Sequence, residues 1–273
     1  MDGNIALTLF LFLLTVNQSS AEREVINIFE QNDGIDILQL RNKEKIPKFP
    51  VLRTPAARCS SNFTYNYSKM FNALYKDSAL KWNLRDSDGN YVIPYTFYAR
   101  YDPEEMSSFR EAINRIEANT CIRFKERTDE HDYIEIQNQV GEGCYTNVGR
   151  IGGKGILMLE SNYRRTCMKP EVVIHELMHV VGLWHEHQRY DRDRYIKVHY
   201  ENINKDYWIQ FKKVSPFQST TYKVPYDYKS VMHYSKTAFA LDGRISMETL
   251  NPRFQVHFSL TCRNRNSLPH VCC

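Results

Sequence analysis

The stretch HELMHVVGLWHEHQRYD, residues 175 to 191, contains four of the nine histidines of this 273-residue chain. On an α-helix His175 and His179 leave the same face, because four residues correspond to a rotation of about 40° beyond one full turn. His185 lies six residues further on, at roughly 240° on a continuing helix, so it joins the pair only if the chain turns back. Gly182 permits that turn, since glycine readily takes the left-handed conformation that ends helices.

Three histidines brought together in this way predict a catalytic zinc site. Such a site uses three protein ligands and leaves the fourth position to water, whereas a structural site is closed by four protein ligands. Zinc lowers the pKa of the water toward about 7, and the carboxylate of Glu176 can then accept its proton. The pattern therefore indicates hydrolysis of a peptide bond.

The alternative is a group of core histidines on a buried helix, but HExxH, Gly182, His185 and a secreted context together favour the metal. We expect His187, the fourth histidine, at the surface.

The N-terminus has the features of a secretory signal. Ile5 to Val16 is an apolar run too short to span a bilayer, and the residues after it suit cleavage near Ala21. A buried N-terminal helix is the alternative. We expect residues 1 to 21 to be a signal peptide, the protein to be secreted, and no later segment to anchor it in a membrane. The net charge of +4 is spread along the chain, so it indicates neither nucleic acid nor a membrane surface as a partner.

Cysteines and glycosylation signals agree with secretion. Seven cysteines in a secreted chain predict disulfides, and the odd number leaves at least one over. Asn62 and Asn66 begin the triplets NFT and NYS and are glycosylation candidates. Residues 22 to 72 are charged, broken by prolines and without clear periodicity, and are a candidate propeptide.

From residue 73 the pattern is that of a folded domain. Tyr91 to Phe97 predicts a strand, in which Pro94 indicates an edge position or a strand end. A helix is expected from Pro103 to about Asn119, with Asp102 as its N-cap. A second helix, over about residues 170 to 181, is apolar almost all round and should be buried. Further short strands are expected at 122–124, 133–136 and 155–159.

Two motifs resemble one protein family. The run from His175 to Asp193 strongly resembles the zinc-binding motif of the astacin family of metzincin proteinases, and PYDYKSVMHY, residues 225 to 234, resembles its Met-turn. The similarity extends from about Trp82 to Pro252. It implies an α+β fold of two lobes with the active-site cleft between them. The upper lobe, to about residue 182, would hold a twisted mixed sheet and two long helices, and the lower lobe, from residue 183, would be irregular.

The resemblance also implies a role for each residue of the site. Three histidines would bind one zinc ion: His175, His179 and His185. Glu176 would be the general base and acid, and Met232 would form an apolar floor beneath the metal, which by itself amounts to core packing. Tyr234 would be a further zinc ligand that swings away to stabilise the oxyanion; taken alone, it would be an interface tyrosine. Glu186 would pair through water with the ammonium group of the mature N-terminus. This ammonium group exists only after an activating protease has cleaved the chain.

Other family features fit this chain less closely. In family zymogens an aspartate of the propeptide binds the zinc in place of water. The usual motif around this aspartate is not intact here, and Asp36 and Asp33 are the candidates for its role. The alternative is that these residues form a solvated acidic turn. The strand Lys154 to Glu160 would be an edge that pairs with extended protein or peptide substrates, or an ordinary strand.

The resemblance implies two disulfides. Cys144 and Cys167 resemble one of them. The other would join Cys121 to a cysteine near the C-terminus, for which this chain offers Cys262, Cys272 and Cys273. The family pattern is lost after Pro252, so the C-terminal part of the domain, residues 73 to 273, is atypical.

The sequence thus predicts a secreted zinc-dependent endopeptidase that acts on extracellular proteins. A second hypothesis is a noncatalytic secreted zinc-binding protein that its atypical C-terminus has disabled. Glu176 and Tyr234 argue against that hypothesis, because a scaffold kept only for binding requires neither. A carbohydrate-binding module is supported only by secretion and by abundant aromatic residues.

Overall fold

The structure is a computed structural model that describes residues 72 to 255. Several predictions lie outside these residues. They concern the signal peptide, most of the propeptide, the zinc-blocking candidates Asp33 and Asp36, the glycosylation candidates Asn62 and Asn66, and the cysteines Cys262, Cys272 and Cys273.

A five-stranded mixed sheet forms the upper lobe. The first strand of the chain, β1 (Ala73–Leu74), lies outside this sheet, which contains β2 (Tyr91–Phe97), β3 (Ile122–Glu126), β4 (Tyr133–Gln137), β5 (Cys144–Thr146) and β6 (Lys154–Leu159). The strand order is β3-β2-β4-β6-β5, with β5 antiparallel to β6 and the other neighbours parallel. The strands expected from the sequence are therefore confirmed, with the three short ones extended by one or two residues.

The position of Pro94 differs from the expectation. It lies in β2, which has a neighbour on each side and is not an edge strand. Pairing with β3 covers Tyr91 to Tyr95, whereas pairing with β4 begins only at Tyr95. The amide of Tyr91 donates a hydrogen bond on the side of β3. Because successive backbone N–H groups of a strand point to opposite sides, the nitrogen of Pro94 faces the side of β4, where pairing has not yet begun. The missing N–H of Pro94 therefore removes no hydrogen bond between β2 and its neighbouring strands.

Two helices cover the sheet, as expected. Helix α1 (Pro103–Glu117) has the complete capping box, in which the Asp102 carboxylate accepts from the amide of Glu105 and the Glu105 carboxylate accepts from the amide of Asp102. It ends two residues before the predicted end at Asn119. Helix α2 (Pro170–Val181) is buried continuously from Val173 onward and packs against α1 and β5.

The lower lobe is irregular, as expected. Its short two-stranded pairings join β9 (Ile196–Val198) to β11 (Met247–Thr249) and β10 (Ser219–Thr220) to β1. A separate hairpin of β7 (Ser161–Asn162) and β8 (Arg165–Thr166) belongs to the upper lobe. Single-turn or two-turn 3-10 helices make up much of the rest: Glu186–Gln188, Arg192–Arg194, Tyr200–Asn202, Lys205–Phe211 and Pro252–Phe254. This lobe has its own apolar cluster around Phe211, Tyr226 and Met247. The predicted α+β class is confirmed.

The predicted substrate strand is not the edge of the sheet. Residues Leu157 to Leu159 of β6 pair with β5, so β5 is the outermost strand on this side. The prediction that Lys154 to Glu160 forms an edge is therefore wrong. Sequence alone could not reveal this, because the three residues of β5 have no alternating pattern long enough to mark a strand. Among the described residues, no helix is both long and apolar enough to cross a membrane.

Candidate metal centre

Helix α2 carries two histidines into the core of the protein. His175 and His179 lie one turn apart on this helix, and both are buried. Their rings stand nearly perpendicular, with centroids 4.8 Å apart. The helix is apolar on its other faces, so packing rather than a surface stripe fixes its orientation. The two imidazoles are thus held on a rigid element.

The turn at Gly182 brings the third histidine to them. Gly182 is the C-cap of α2 in the left-handed region, with φ of +119°, and its amide donates to the carbonyls of His179 and Met178. The chain then reverses, and the carbonyl of Leu183 accepts from Nδ1 of His179 at 2.6 Å. His185 follows, buried beside the first two histidines.

The three imidazoles converge through their Nε2 atoms. Nε2 of His185 lies 3.3 Å from that of His175 and 3.3 Å from that of His179. The three ligand atoms are all within 4.8 Å of one another, and this is the only such group of three or more metal-binding side chains in the described part of the chain. Nitrogens bound to a tetrahedral zinc ion at about 2.0 to 2.1 Å stand about 3.3 Å apart, so the spacing fits this metal.

The second nitrogen of each ring sets its protonation. Nδ1 of His175 donates to the carbonyl of Val231 at 2.7 Å, Nδ1 of His179 to that of Leu183, and Nδ1 of His185 faces Oε1 of Gln188 at 3.3 Å. Because these oxygens only accept, Nδ1 carries the proton and the lone pair of Nε2 points into the cluster. Three converging lone pairs repel one another unless a cation lies between them.

Glu176 and Met232 belong to the two segments that border this cluster. Glu176 follows His175 on α2 and is 2% exposed. Met232 is buried in the main core; its carbonyl accepts from the amide of Glu186, and its own amide bonds to Oγ of Ser230. Together with the bond from His175 to Val231, these contacts fix the Met232 segment against both parts of the histidine motif.

Tyr234 lies against the third histidine. Its ring centroid is 4.5 Å from that of His185, and the residue is 3% exposed. Its hydroxyl donates to Oε1 of Gln210 at 3.4 Å. Tyr234 thus packs against His185, and its role at the metal stays a prediction.

The expectation for His187 is wrong, because this residue is completely buried. Its ring packs against those of Phe211 and Tyr234, and its Nε2 donates to the carbonyl of Gln210 at 2.9 Å. Burial holds the pKa of His187 well below its usual value, so the ring is neutral. The tight 3-10 turn after His185 directs the side chain inward, which spacing along the sequence did not indicate.

Glu186 is buried in an ion-pair network. Its carboxylate accepts from Nη1 of Arg189 at 3.0 Å and from the amide of Asp227 at 2.9 Å. Burial raises the pKa of Glu186 to about 7, against the opposing effects of Arg189 and the Asp227 amide. Arg189 also donates to Asp191 and to the carbonyls of Val224 and Pro225, so it ties the segment of chain before Met232 to the histidine motif.

Three residues of this region received no role from the sequence. Arg189 and Gln210 are two of them. The third is Asn72, the last residue of the predicted propeptide, which is 1% exposed and whose Nδ2 donates to the carbonyl of His185 at 2.8 Å. A polar residue inside the apolar run WIQF was the one signal that could have singled out Gln210. Arg189 lies within the run that resembles the zinc-binding motif, whereas nothing in the local sequence marks Asn72.

The three cysteines among the described residues, Cys121, Cys144 and Cys167, lie in the upper lobe. Cys144 and Cys167 form a disulfide with Cα atoms 5.9 Å apart, which joins the start of β5 to the chain entering α2. Cys121 is also disulfide-bonded, and its candidate partners lie outside the described residues.

Comparison with known proteins identifies the family. The family model of Astacin, a family of peptidases, matches residues 81 to 269. Zinc metalloproteinase nas-5 of Caenorhabditis elegans is 44% identical over 252 residues, which cover 90% of this chain and 66% of that protein. Zinc metalloproteinase nas-6 of the same species is 39% identical over 222 residues, which cover 81% of this chain and 54% of that protein. The chain thus spans two thirds or less of the length of these relatives.

A solved structure agrees with this result. High choriolytic enzyme 1, a hatching enzyme zinc-protease from the medaka fish Oryzias latipes, is 36% identical with a TM-score of 0.60, over 66% of this chain and 88% of that chain. Its similarity supports the two-lobed α+β arrangement described above. The chain belongs to the astacin family of peptidases.

Proposed function

We propose that the protein is a secreted zinc-dependent endopeptidase that hydrolyses peptide bonds in extracellular proteins. The observation that carries the proposal is the convergence of three Nε2 atoms next to the buried Glu176, with Nε2 of His185 lying 3.3 Å from each of the other two. The family includes relatives and a solved structure described as zinc proteases. The donor set is the one that a catalytic zinc site requires.

His175, His179 and His185 would hold the metal. Bound zinc would supply a Lewis acid that polarises the scissile carbonyl and acidifies a water molecule. The chain's contribution is to keep the three imidazoles neutral and oriented, through the acceptors of their Nδ1–H groups. All three acceptors lie in the lower lobe, whereas His175 and His179 belong to the upper one, so the metal site depends on the correct docking of one lobe on the other.

Glu176 would act as the general base and then as the general acid. Its carboxylate would take a proton from the attacking water and deliver it to the nitrogen of the leaving amine. The adjacent position on α2, one residue after His175, keeps this carboxylate close to the metal ligands. Tyr234 would donate its hydroxyl hydrogen to the carbonyl oxygen as negative charge develops there, an interaction strongest in the transition state.

Substrates would pair with the exposed side of β5. This strand is the outermost of the sheet next to the helix that carries His175 and His179. The chain shortly after β5 also contacts the metal centre, because the amide of Gly149 donates to the carbonyl of His179 at 2.9 Å. An extended peptide added to this edge would run alongside the histidines.

Activation would require removal of the N-terminal segment by another protease. Residues 73 and 74 pair with β10, and the carbonyl of Asn72 accepts from the amide of Trp184, next to His185. A new ammonium group released near residue 72 would therefore lie close to the histidine motif, and Glu186 would be its partner. The signal peptide would direct the chain to the secretory pathway before this step.

The decisive experiment is an assay for cleavage of an unfolded protein by the zinc-loaded chain that starts at Asn72, so that the contacts of this residue with His185 and Trp184 are kept. We expect cleavage, and we expect Glu176→Gln to lower kcat by about 100-fold or more, because it removes the general base. The variant should bind one zinc ion as the parent does, measured by metal analysis after dialysis. If both proteins hold zinc and neither cleaves, the noncatalytic zinc-binding alternative is correct.

A further inference from the structure

We propose that Glu160 is a positioning residue that holds the chain entering β5 and thereby aligns this strand for an extended substrate. The inference rests on the proposed function and deepens it, because it concerns the strand along which the substrate would bind. It is carried by the hydrogen bonds that the carboxylate of Glu160 accepts from the amides of Gly141 and Gly143.

Glu160 is a completely buried carboxylate that has no part in the proposed hydrolysis. It directly follows β6 and is 0% exposed. Its Oε1 accepts from the amide of Gly141 at 2.9 Å and from Nδ2 of Asn162 at 2.7 Å. Its Oε2 accepts from the amide of Gly143 at 2.8 Å and pairs with Nη2 of Arg165 at 2.8 Å. Burial opposes ionisation, but the two glycine amides and Arg165 outweigh it and lower the pKa of Glu160, so the group is ionised.

The carboxylate takes the place of a main-chain acceptor at the end of β6. Glu160 and Gly143 face each other one residue beyond the pair of Cys144 and Leu159, and the amide of Glu160 donates to the carbonyl of Gly143 at 2.9 Å. In a regular antiparallel ladder the amide of Gly143 would donate back to the carbonyl of Glu160. That carbonyl accepts from the amide of Cys167 at 2.7 Å, and the amide of Gly143 donates to the side chain. The side chain thus extends the pairing of the two strands by one residue.

This pairing directs the amide of Cys144 toward the free side of β5. The carbonyl of Gly143 and the amide of Cys144 belong to one trans peptide unit, so they point in opposite directions. Because the carbonyl accepts from Glu160 on the side of β6, the amide faces the side on which no other strand of the described residues lies. An extended peptide added to this side would accept a hydrogen bond from the amide. Glu160 therefore acts on substrate binding through the first peptide unit of β5.

Two glycines make this part of the chain dependent on the carboxylate. Gly141 and Gly143 have positive φ values, of +95° and +79°. Glycine adopts such values readily, but it adopts many others as well, so the local sequence does not select one conformation. The disulfide between Cys144 and Cys167 holds the side chain of Cys144 and leaves its peptide unit free to rotate. The two hydrogen bonds to one carboxylate select the conformation that the strand requires.

A length series of peptide substrates tests the proposal on the full active protein. The peptides are extended one residue at a time on either side of the scissile bond. In the parent, the extension that reaches Cys144 should lower KM by about threefold to tenfold, the range for one hydrogen bond, with kcat nearly constant.

Two variants of Glu160 should lose this effect. Glu160→Gln keeps the length of the side chain but turns an NH2 group toward one of the amide donors, and Glu160→Asp keeps the charge but is too short to reach both glycines. In each variant the same extension should lower KM by less than about twofold. The kcat of each variant on the shortest peptide that is cleaved should stay within about twofold of the parent, because the metal ligands and Glu176 are unchanged.

Arg165→Gln is the matched control, since it removes the charged partner of Glu160 and leaves both glycine amides with their acceptor. It should keep the full effect of extension on KM. An undiminished effect in a Glu160 variant that binds zinc, or no effect of any extension in the parent, would overturn the proposal. Loss of zinc from both Glu160 variants, measured by metal analysis, would give the carboxylate a purely structural role and would also overturn it. Absence of cleavage by the parent would instead refute the proposed function, and this inference with it.

Discussion

Gly182 determines where His185 lies, because the chain reverses at this residue after α2. Its φ of +119° falls in a region that other residues rarely adopt, and a Cβ built on it would lie 2.8 Å from Cδ1 of the buried Leu74. Both conditions favour glycine here, one through the backbone and the other through packing. The position of His185, the third predicted metal ligand, therefore depends on a residue that has no side chain of its own.

We predict that Gly182→Ala destabilises the protein and weakens zinc binding. The positive φ costs about 1 to 2 kcal/mol for alanine, and the contact with Leu74 adds about 1 kcal/mol or more of overpacking. The measurements are urea unfolding and zinc affinity.

The matched control is Gly243→Ala, since Gly243 also has a positive φ, of +72°, but a Cβ added there would meet no neighbouring group within 4 Å. This variant should show only the backbone cost and normal zinc affinity. If both variants lose equal stability and bind zinc alike, the contact with Leu74 plays no part in placing His185.

His187 and Gln210 show the limit of reasoning from residue spacing. The spacing of His175, His179 and Gly182 follows helix geometry, which the local sequence determines. His187 and Gln210 are 23 positions apart, and the hydrogen bond between them depends on how the lower lobe folds back. No periodicity relates such residues, so the sequence assigned His187 to the surface and gave Gln210 no role.

At the scale of elements, α1 is specified locally at its start. Asp102, Pro103 and Glu105 form the N-terminal signals that the sequence shows, and the structure contains both hydrogen bonds of the capping box. Glu105 also accepts hydrogen bonds from the hydroxyls of Ser161 and Thr166, in the β7–β8 hairpin. The cap thus connects the start of the helix to the chain leading into α2.

We predict that Asp102→Ala lowers the free energy of unfolding by about 1 kcal/mol, because the amide of Glu105 loses its acceptor. Thermal or urea unfolding measures the change. Ser107→Ala, at an exposed position within the same helix, is the control and should be neutral or slightly stabilising. A loss in the control as large as that in Asp102→Ala would contradict a specific effect of the cap.

The elements themselves were predicted more accurately than their arrangement. The hydrophobic patterns located β2, β3, β4, β6, α1 and α2 to within a few residues. The two errors, Pro94 at an edge and β6 as the edge strand, both concern which strands are neighbours. Neighbours in a parallel sheet are joined by long crossovers, so the order of strands is a non-local property.

At the scale of the whole molecule, the metal centre connects the two lobes. His175 and His179 belong to a helix of the upper lobe, whereas His185, Glu186 and Tyr234 lie in the lower one. The lobes are also joined by the bond from His175 to Val231 and by that from Glu186 to Met232. A bound ion would therefore stabilise the docking of the lobes as well as take part in the chemistry.

We predict that removal of zinc by a chelator lowers the unfolding midpoint, because a ligand that binds only the folded state stabilises it. In a His179→Ala variant, the chelator should have little effect. His131→Ala is the control, since His131 is exposed and pairs with Asp132 away from the cluster; this variant should respond to the chelator as the parent does. A midpoint that is insensitive to chelation in the parent would contradict the proposed metal site.

We also predict that zinc is released as the pH falls from about 7 to about 5, because protons compete with the metal for neutral imidazoles. The sign follows from the ligand chemistry: the metal requires the deprotonated nitrogen, so acid favours the metal-free state. Metal analysis after dialysis at several pH values measures the release. Full retention of zinc well below about pH 5 would contradict a site made of three histidines.

The sequence by itself predicted His175, His179 and His185 as metal ligands and Glu176 as the general base, from a motif of fixed spacing. It also determined the reversal at Gly182 and the capped and buried helices, because these follow from local geometry. Only the tertiary structure decided the order of the strands, the burial of His187, and the contacts of Asn72, Arg189 and Gln210 with the metal centre. These features depend on the packing of segments far apart in the chain, and packing is selected by the complementarity of whole surfaces rather than by a local pattern.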